Sequence, residues 1–393
     1  MRTDMESSRV TAYLEGRISS ANAEETQREL LQVMEENPER ELEIDAGGLE
    51  YISSAGLRVL MMLARKQGTA LTVRNVSPEV YDILEMTGFT SIMNVKKKLR
   101  EFSVDGCEVV GRGAIGTVYR IDEDTIIKVY ELPDSIPMIE NEQKRAKQAF
   151  LKGIPTAISY DVVKVGDKYG SVFELLRAST YNDLIRDAPE RKDEIIRSYA
   201  HFLRQIHAVE MDRGELPEAK TVFLGYLDAL GQVLPEDLSL RLRTLLEAMS
   251  ENLHAVHGDI QMKNVMLSGE EPLLIDMETL SVGDPVFDLQ SLYVTYQAYG
   301  EDEADNAMQF LGISNEMADF IWSKTLEYYF DDRDPSVRPS AETKIRLLAY
   351  VRFLYLLTVL HIGREDLMQI RIGHTLEHLR ELVNQVESLE IGD

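Results

Sequence analysis

Three polar side chains between residues 259 and 276 have the types and spacing that phosphoryl transfer requires. Asp259 lies five residues before Asn264, and a second carboxylate, Asp276, follows twelve residues later. The reaction needs one carboxylate to orient or deprotonate an attacking hydroxyl, and it needs oxygen ligands that hold Mg²⁺ on the phosphates of a nucleotide. We therefore expect Asp259 to be the catalytic base, Asp276 the principal Mg²⁺ ligand and Asn264 a second ligand.

A glycine-rich segment upstream has the pattern of a loop that covers ATP phosphates. Gly111, Gly113 and Gly116 have the spacing G-x-G-x-x-G, and Val118 follows them. In a dinucleotide-binding fold such glycines open a helix, whereas the residues that follow here have the pattern of two strands joined by a turn at 122–124. The pattern therefore favours a glycine-rich hairpin that binds ATP.

The second of these strands carries Lys128, whose ammonium group we expect to contact the α- and β-phosphates of ATP. Such a lysine needs a carboxylate from the next helix. We choose Glu142, with Glu140 as the alternative. The two residues lie on different faces of that helix, so only one of them can point towards the lysine. Further along, an edge strand passes into a connector, and we expect backbone groups near Glu174 to Leu176 to bind the adenine ring.

The predicted elements that position these residues change in character near residue 105. In the first block, strands alternate with helices, which predicts a small α/β layer structure. Its predicted elements are a strand at 9–16, a helix at 21–36, a strand at 41–44, a turn at 45–48, a helix at 54–67, a strand at 70–76 and a short helix at 78–86. We predict that residues 103–106 form the linker between the two blocks.

The second block begins with a strand-rich segment and continues as a mostly helical one. Strands are predicted from Cys107 to about residue 174, with one helix at 136–152. Beyond residue 182 the pattern is helical, apart from a hairpin-like segment at 257–276. A small sheet lobe followed by a large helical lobe is therefore predicted.

Composition and charge bound the class of protein. The chain has 393 residues, of which 44% are hydrophobic, and its formal net charge is −26. This charge argues against nonspecific binding to nucleic acid or to an anionic membrane. The single cysteine excludes an internal disulfide and a cysteine-based zinc site. The most apolar run, 347–362, is interrupted by Arg352 and His361 and is predicted to be a buried helix. We expect a cytoplasmic protein with no nucleic-acid or membrane partner.

The first block resembles the STAS domain of bacterial anti-sigma-factor antagonists. The resemblance covers residues 5 to 100 and rests on LEGRI at 14–18, ID at 44–45 and ISSAGL at 52–57. It implies a protein partner. In regulated members a serine just after an aspartate is phosphorylated by a partner kinase. Ser54 matches that position and is a candidate phosphoacceptor, but Ser53 replaces the aspartate, which favours a phosphate-independent docking module.

The second block resembles the aminoglycoside phosphotransferase and choline-kinase-like branch of the protein-kinase-like fold. The resemblance spans about 107 to 390 and rests on HGD at 257–259, Asn264, IDxE at 275–278 and GDPxxDL at 283–289. Eukaryotic-type protein kinases carry a lysine and a glycine at two positions where this chain has Gln261 and Glu278. These departures favour a small-molecule acceptor over a protein.

Other polar residues have structural interpretations in the sequence. We expect His257 to brace the catalytic loop, and the segment 283–288 to form a turn that caps a helix. Glu278 is interpreted either as a support for metal or water or as a surface carboxylate. The acidic stretch 331–334 could attract a cationic substrate, although a solvated loop explains it better.

The sequence therefore predicts two domains, an α/β STAS domain at 1–102 and an α+β bilobal protein-kinase-like domain at 107–393. The two lobes of the second domain are expected at about 107–174 and 177–393. The expected function is an ATP- and Mg²⁺-dependent phosphotransferase that acts on a hydroxyl of a small molecule, with the STAS domain as a docking or regulatory module.

Two alternative functions remain open. One is a protein kinase of a sigma-factor partner-switching pathway that phosphorylates a STAS serine in cis or in trans. The other is a nucleotide-sensing anti-sigma factor antagonist without catalysis. We place this last alternative third because a binding protein need not keep Lys128, Asp259 and Asp276.

Overall fold

The computed structural model describes residues 1–5, 8–113, 115–132 and 135–391. The chain forms two compact units. The first contains Met1–Ser103 and Val162–Asp167, and the second contains Val104–Asp161 and Lys168–Asp393. Among the described residues, no helix is both long enough and apolar enough to cross a membrane.

The first unit is a five-stranded sheet with helices in its crossover connections. The strands are β1 (Thr3–Met5), β2 (Arg9–Ile18), β3 (Glu41–Ile52), β4 (Thr72–Val76) and β5 (Asn94–Lys97), and they lie in that order across the sheet. The helices are α1 (Ala23–Glu36), α2 (Ser54–Gln67) and α3 (Pro78–Met86), with a 3₁₀ turn at Phe89–Ser91. β1 is antiparallel to β2, and the other neighbours are parallel. This is the arrangement that successive helical crossovers produce.

The turn predicted at 45–48 is wrong, because β3 continues through these residues to Ile52. Gly48 pairs with Glu15 of β2, and the register of the two strands shifts on either side of this pair. A Cβ atom on Gly48 would lie 2.9 Å from Cγ of Glu15. The glycine therefore permits a close approach of two irregular strands rather than a change of chain direction.

A further strand pair belongs to the first unit. β6 (Arg100–Phe102) runs parallel to β10 (Asp161–Val165), and the register pairs Val163 with Arg100. The short segment Val162–Asp167 therefore joins the first unit although it lies some 60 residues further along the chain.

The second unit begins with an antiparallel sheet. Its strands β7 (Glu108–Arg112), β8 (Gly116–Arg120), β9 (Thr125–Tyr130) and β11 (Lys168–Glu174) lie in the order β11-β9-β8-β7. Helix α4 (Ile136–Leu151) follows β9. The remaining strands form two small sheets, one of β12 (Ser179–Thr180), β14 (Val265–Ser268) and β15 (Glu271–Leu274), the other of β13 (Ala255–Val256) and β16 (Ser281–Val282).

The rest of the second unit is helical. The α-helices are α5 (Tyr181–Asp187), α6 (Lys192–His207), α7 (Ala219–Ala229), α8 (Glu236–Glu247), α9 (Val286–Tyr296), α10 (Asn306–Leu311), α11 (Asn315–Tyr329), α12 (Val337–Thr358) and α13 (Met368–Val383). Short 3₁₀ helices lie at Pro189–Arg191, Met262–Asn264, Met277–Thr279, Ala298–Glu301 and Glu365–Leu367.

Helices α9 and α12 form the centre of this helical part. Every residue of α9 except Thr295 is buried, and α12 packs against α9 and α13. Burial of one large apolar side chain contributes roughly 1.5–3 kcal/mol, so this packing fixes the position of any residue that projects from either helix. The predicted buried helix at 347–362 is correct only as far as Thr358, because Val359, Leu360 and Ile362 are exposed.

Candidate active site

The glycine-rich segment forms the predicted hairpin. The amide of Gly113 donates to the carbonyl of Gly116 at 2.9 Å, which links β7 to β8. A Cβ atom on Gly116 would lie 2.5 Å from the carbonyl oxygen of Val129, whereas the nearest atom to a Cβ on Gly113 would be 3.8 Å away. Gly116 is therefore required by the close approach of β8 and β9. Gly111 and Gly113 leave the backbone of the hairpin open to a ligand.

Lys128 joins two carboxylates at the centre of the second unit. Its Nζ lies 3.3 Å from both oxygens of Glu142 and 2.8 Å from Oδ1 of Asp276. Glu142 is buried and also accepts a hydrogen bond of 2.6 Å from the Tyr130 hydroxyl, whereas Glu140 is exposed. Burial alone would lower the pKa of Lys128, but the charges of Asp276 and Glu142 raise it above its ordinary value. Lys128 is therefore a fixed cation.

The carboxylate of Asp259 is held from both sides. Its Oδ1 accepts a hydrogen bond of 2.7 Å from Nη2 of Arg352 on α12. Its Oδ2 accepts longer ones from Nδ2 of Asn264 at 3.1 Å and from Nε2 of Gln261 at 3.3 Å. The Asp259 side chain keeps one third of its surface exposed. These hydrogen bonds thus fix the plane of the carboxylate and leave it accessible.

The backbone before Asp259 is held by Asp288, which projects from α9. The amides of His257 and Gly258 donate to its two oxygens at 2.8 and 2.5 Å. Asp288 is completely buried and also accepts a hydrogen bond of 2.9 Å from Nε2 of His207. Gly258 has φ +82°, and a Cβ atom there would lie 2.7 Å from the carbonyl oxygen of Thr279. Only glycine fits this bend without strain.

Further side chains satisfy the backbone groups of the same loop. The Thr279 hydroxyl donates to the His257 carbonyl at 2.7 Å, and the Ser291 hydroxyl donates to the Ile260 carbonyl at 3.0 Å. The Tyr296 hydroxyl accepts a hydrogen bond of 3.1 Å from the amide of Met262. An irregular buried segment can persist only if its polar groups are paired in this way. His257 has the bracing contact that we expected, 3.1 Å from Nε2 to the carbonyl of Ile275.

Asn264 and Asp276 form a donor set that suits Mg²⁺. Nδ2 of Asn264 donates to the backbone carbonyl of Asp259 at 2.8 Å, which leaves its Oδ1 as an acceptor. The amide of Ile275 donates to the carbonyl of Asn264 at 3.0 Å and so brings Asp276 beside it. Asp276 has φ +63°, a strained conformation that aspartate tolerates better than most residues.

The carboxyl group of Glu278 is affected by the charge of Asp276. Burial, together with the charges of Asp276 and Glu142, raises the pKa of Glu278. No group of three or more His, Cys, Asp and Glu side chains within the described ranges is arranged to hold a metal ion. A hard cation at Asp276 and Asn264 would therefore take further oxygen ligands from phosphate and water.

The expected adenine connector follows β11. Glu174 is the last residue of that strand and is exposed, and Leu176 is half-buried. The amide of Leu175 donates to the carbonyl of Asp124 at 2.7 Å, so this amide is already paired. Val118 is half-buried and lies opposite Lys128 in the register of β8 and β9.

Two residues that sequence reasoning missed now belong to the site. Arg352 was treated only as an interruption of an apolar run, and Asp288 only as part of a helix-capping turn. The signal for Arg352 was its position as a lone charge inside a buried helix. The signal for Asp288 was that it is the one charged side chain of α9.

The acidic stretch at 331–334 is paired within the chain. Arg204 forms ion pairs with Asp331, at 2.7 Å, and with Asp332. Asp334 accepts a hydrogen bond of 2.9 Å from the amide of Ser336. These contacts account for the stretch without a cationic substrate.

In the first unit, the two serines at the start of α2 have different roles. The Ser53 side chain is the N-cap of the helix and accepts a hydrogen bond of 3.4 Å from the amide of Gly56. Ser54 is the first helical residue and is exposed.

Comparison with protein families identifies both units. The sequence model of the phosphotransferase enzyme family (APH) matches residues 106–326, which is more than half of the chain. The chain belongs to this family. Residues 1–96 match a second model, described as Mlab, STAS domain. The predicted fold class is thereby confirmed, with an α/β STAS domain followed by a kinase-like phosphotransferase domain.

The chain is also similar to individual proteins. The protein of Bordetella bronchiseptica named "Putative anti-sigma factor antagonist BtrV" is 41% identical over 88 residues, which cover 21% of this chain and 74% of that protein. Among solved structures, the aminoglycoside phosphotransferase APH(2'')-Ib, bound to ADP, is 16% identical with a TM-score of 0.47 and covers 78% of this chain and 99% of that one. A choline/ethanolamine kinase family protein from Mesorhizobium loti has the same identity and TM-score, with coverages of 70% and 87%.

Proposed function

We propose that the second unit transfers the γ-phosphoryl group of ATP to a hydroxyl of a small molecule, and that the STAS domain is its docking or regulatory module. The observation that carries this proposal is a chain of contacts. Asp276 accepts a hydrogen bond from Lys128, the amide of the preceding residue donates to the carbonyl of Asn264, and the side chain of Asn264 donates to Asp259. A nucleotide-binding lysine, a metal-binding carboxylate and a base are thus parts of one rigid cluster.

Each residue of the cluster has a distinct task in this reaction. Lys128 holds the α- and β-phosphates, and Glu142 keeps its ammonium group in place. Mg²⁺ bound to Asp276 and Asn264 would neutralise charge on the phosphate oxygens. Asp259 accepts the proton of the acceptor hydroxyl while the hydroxyl oxygen forms a bond to the γ-phosphorus. The bond from that phosphorus to the bridging oxygen breaks, and ADP is the leaving group.

The surroundings of Asp259 support a small-molecule acceptor. Gln261 occupies the position of the lysine that protein kinases of eukaryotic type carry, and its amide donates to Asp259 at 3.3 Å. A neutral amide provides no second cation for the transferred phosphoryl group. The phosphate charge is then neutralised by Lys128 and the metal, because the Arg352 guanidinium is already paired with Asp259.

A metabolite screen tests the proposal. The full chain is incubated with ATP and Mg²⁺, and ADP release is measured across a panel of hydroxylated metabolites. We expect acceptor-dependent ADP release from the wild type and a loss of about 100-fold or more in Asp259→Ala, because a positioned base contributes roughly 10²–10⁴-fold. Asp319→Ala, which removes an exposed carboxylate of α11, is the matched control and is expected to keep full activity.

Three outcomes would contradict parts of the proposal. A signal that survives in Asp259→Ala removes Asp259 as the base. Transfer of the γ-phosphoryl group of ATP to the protein itself, without any metabolite and abolished in Ser54→Ala, identifies a protein kinase instead. The exposed Ser54 side chain makes this a specific alternative. Tight ATP binding without turnover on any acceptor identifies a nucleotide sensor.

A further inference from the structure

Arg352 is a lone charge in the most deeply buried part of α12. The residues on either side of it, 347–351 and 353–354, are at most 1% exposed, and the Arg352 side chain itself is 12% exposed. A charge in such surroundings is unfavourable unless it is paired and hydrogen-bonded. The contacts of Arg352 therefore indicate why a charge is present there.

Both contacts of the Arg352 guanidinium are with the catalytic loop. Nη2 donates to Oδ1 of Asp259 at 2.7 Å, and Nη1 donates to the backbone carbonyl of Gly258. Asp259 is its one anionic partner among residues that the structure describes. Because the guanidinium is a rigid planar fork, two bonds to neighbouring groups fix both the path of the backbone and the plane of the carboxylate.

The two oxygens of the Asp259 carboxylate are consequently not equivalent. The Arg352 contact occupies Oδ1 at a short distance, whereas Oδ2 has only the amide contacts of 3.1 and 3.3 Å. A carboxylate oxygen has two lone-pair directions, so these three donors leave one of the four directions, on Oδ1, free to accept the proton of a further donor.

This contact comes from a part of the chain outside the family match. Helix α12 begins at Val337, and the phosphotransferase model ends at residue 326. The ion pair between Asp259 and Arg352 is thus a feature of this chain that the family assignment does not supply.

We propose that Arg352 is a positioning residue for phosphoryl transfer, which holds the Asp259 carboxylate through Oδ1 in the orientation that receives the proton of the acceptor hydroxyl. The proposal rests on the proposed function. It differs from a purely structural role in one respect. Removal of one partner of an ion pair is costly where the other charge stays buried and unpaired, but Asp259 is one third exposed and keeps the amide contacts of Asn264 and Gln261. Loss of the arginine should therefore slow the reaction without unfolding the protein.

The test uses three variants of the full chain. Arg352→Met removes the charge and keeps a long apolar stem, Arg352→Lys keeps the charge but not the planar fork, and Arg346→Met is the matched control. Arg346 lies on the same helix, is half-buried and covers the ring of Tyr293, away from Asp259. ATP turnover is measured with water as the acceptor and with any acceptor that the metabolite screen identifies, and the thermal midpoint is measured in parallel.

We expect Arg352→Met to lower kcat by about 100-fold, since a misplaced catalytic group loses roughly that factor. The KM for ATP should stay within about twofold of the wild type, because the nucleotide contacts are untouched. The thermal midpoint should stay within about 3 °C. Arg352→Lys should recover about tenfold of the lost rate, because one ammonium group cannot hold both partners at once. Arg346→Met should leave kcat unchanged.

An unchanged kcat in Arg352→Met overturns the proposal. A parallel loss of kcat, ATP affinity and thermal stability in that variant also overturns it, because it identifies a structural ion pair. The absence of ATP turnover in the wild type, with every acceptor, is distinguishable from both. That result overturns the proposed function, and the role of Arg352 with it.

Discussion

Replacing Asp288 by asparagine tests how far the catalytic loop depends on one buried carboxylate. Asp288 accepts three hydrogen bonds, of 2.8, 2.5 and 2.9 Å, from two loop amides and from His207. A hydrogen bond to a charged group contributes about 1.5–3 kcal/mol and a neutral one about 0.5–1.5 kcal/mol. Asparagine has one acceptor oxygen and an NH₂ donor, so at least one of the three bonds is lost, at about 2 kcal/mol, and the other two lose about 1 kcal/mol each. We expect the free energy of unfolding of the second unit to fall by about 4 kcal/mol in Asp288→Asn.

The pH dependence of this loss follows from the pKa of Asp288. Burial favours the protonated form, but the hydrogen bond and charge of His207 lower the pKa below its ordinary value. A carboxyl group whose pKa is lower in the folded state stabilises the protein above its unfolded pKa of about 3.9 and loses this effect as the pH falls towards its folded pKa. The difference between wild type and Asp288→Asn should therefore not decline as the pH falls from about 8 to 5, and it should shrink only below about pH 4.

Urea unfolding followed by tryptophan fluorescence measures this difference. The chain has one tryptophan, Trp322, which is buried in α11 and so reports on the second unit. Asp319→Asn, an exposed aspartate on the same helix, is the control and should change stability by less than about 0.5 kcal/mol. A loss below about 1 kcal/mol in Asp288→Asn, or a loss that declines between pH 8 and pH 5, would refute the reasoning.

Three further outcomes can be measured on purified variants. Gly116→Ala should lower the thermal midpoint, because the added methyl group meets a backbone oxygen at 2.5 Å, whereas Gly113→Ala should leave it unchanged in the same melting experiment. Lys128→Met should abolish ATP turnover and lower the thermal midpoint measured in EDTA. Added Mg²⁺ should reverse part of this decrease, because it replaces the lost cation near the carboxyl groups of Glu142, Asp276 and Glu278. Ser53→Ala should destabilise the STAS domain by about 1 kcal/mol in urea unfolding, since it removes the N-cap of α2. Ser54→Ala, which changes the next and exposed serine, should have no effect.

Polar residues that the fold brings together could be selected from the sequence because their types and spacing are local properties. Asp259, Asn264 and Asp276 lie within 18 residues of one another, and the glycine hairpin and Lys128 follow one another along the chain. The choice between Glu142 and Glu140 could not be made from spacing. The fold decides it, since α4 turns Glu142 towards Lys128 and leaves Glu140 in solvent.

The contacts that sequence reasoning missed depend on long-range packing. Arg352 is 93 residues from Asp259 in the chain, and Asp288 is 30 residues from Gly258. No local pattern places α9 and α12 against the loop. The mistaken turn at 45–48 had a different cause, because glycines were interpreted as turn residues where they permit two strands to approach closely.

The paired backbone of the loop at 257–264 has a consequence for hydrogen exchange and for ligand binding. Amides in a segment without regular secondary structure usually exchange quickly with solvent deuterium, but here several are bonded to side chains of buried helices. Their exchange therefore requires those helices to separate, and protection should approach that of the α9 amides. A ligand that docks on such a loop does not have to freeze it first, so little conformational entropy is lost on binding. Association with this face should then be limited by diffusion and orientation rather than by ordering of the loop.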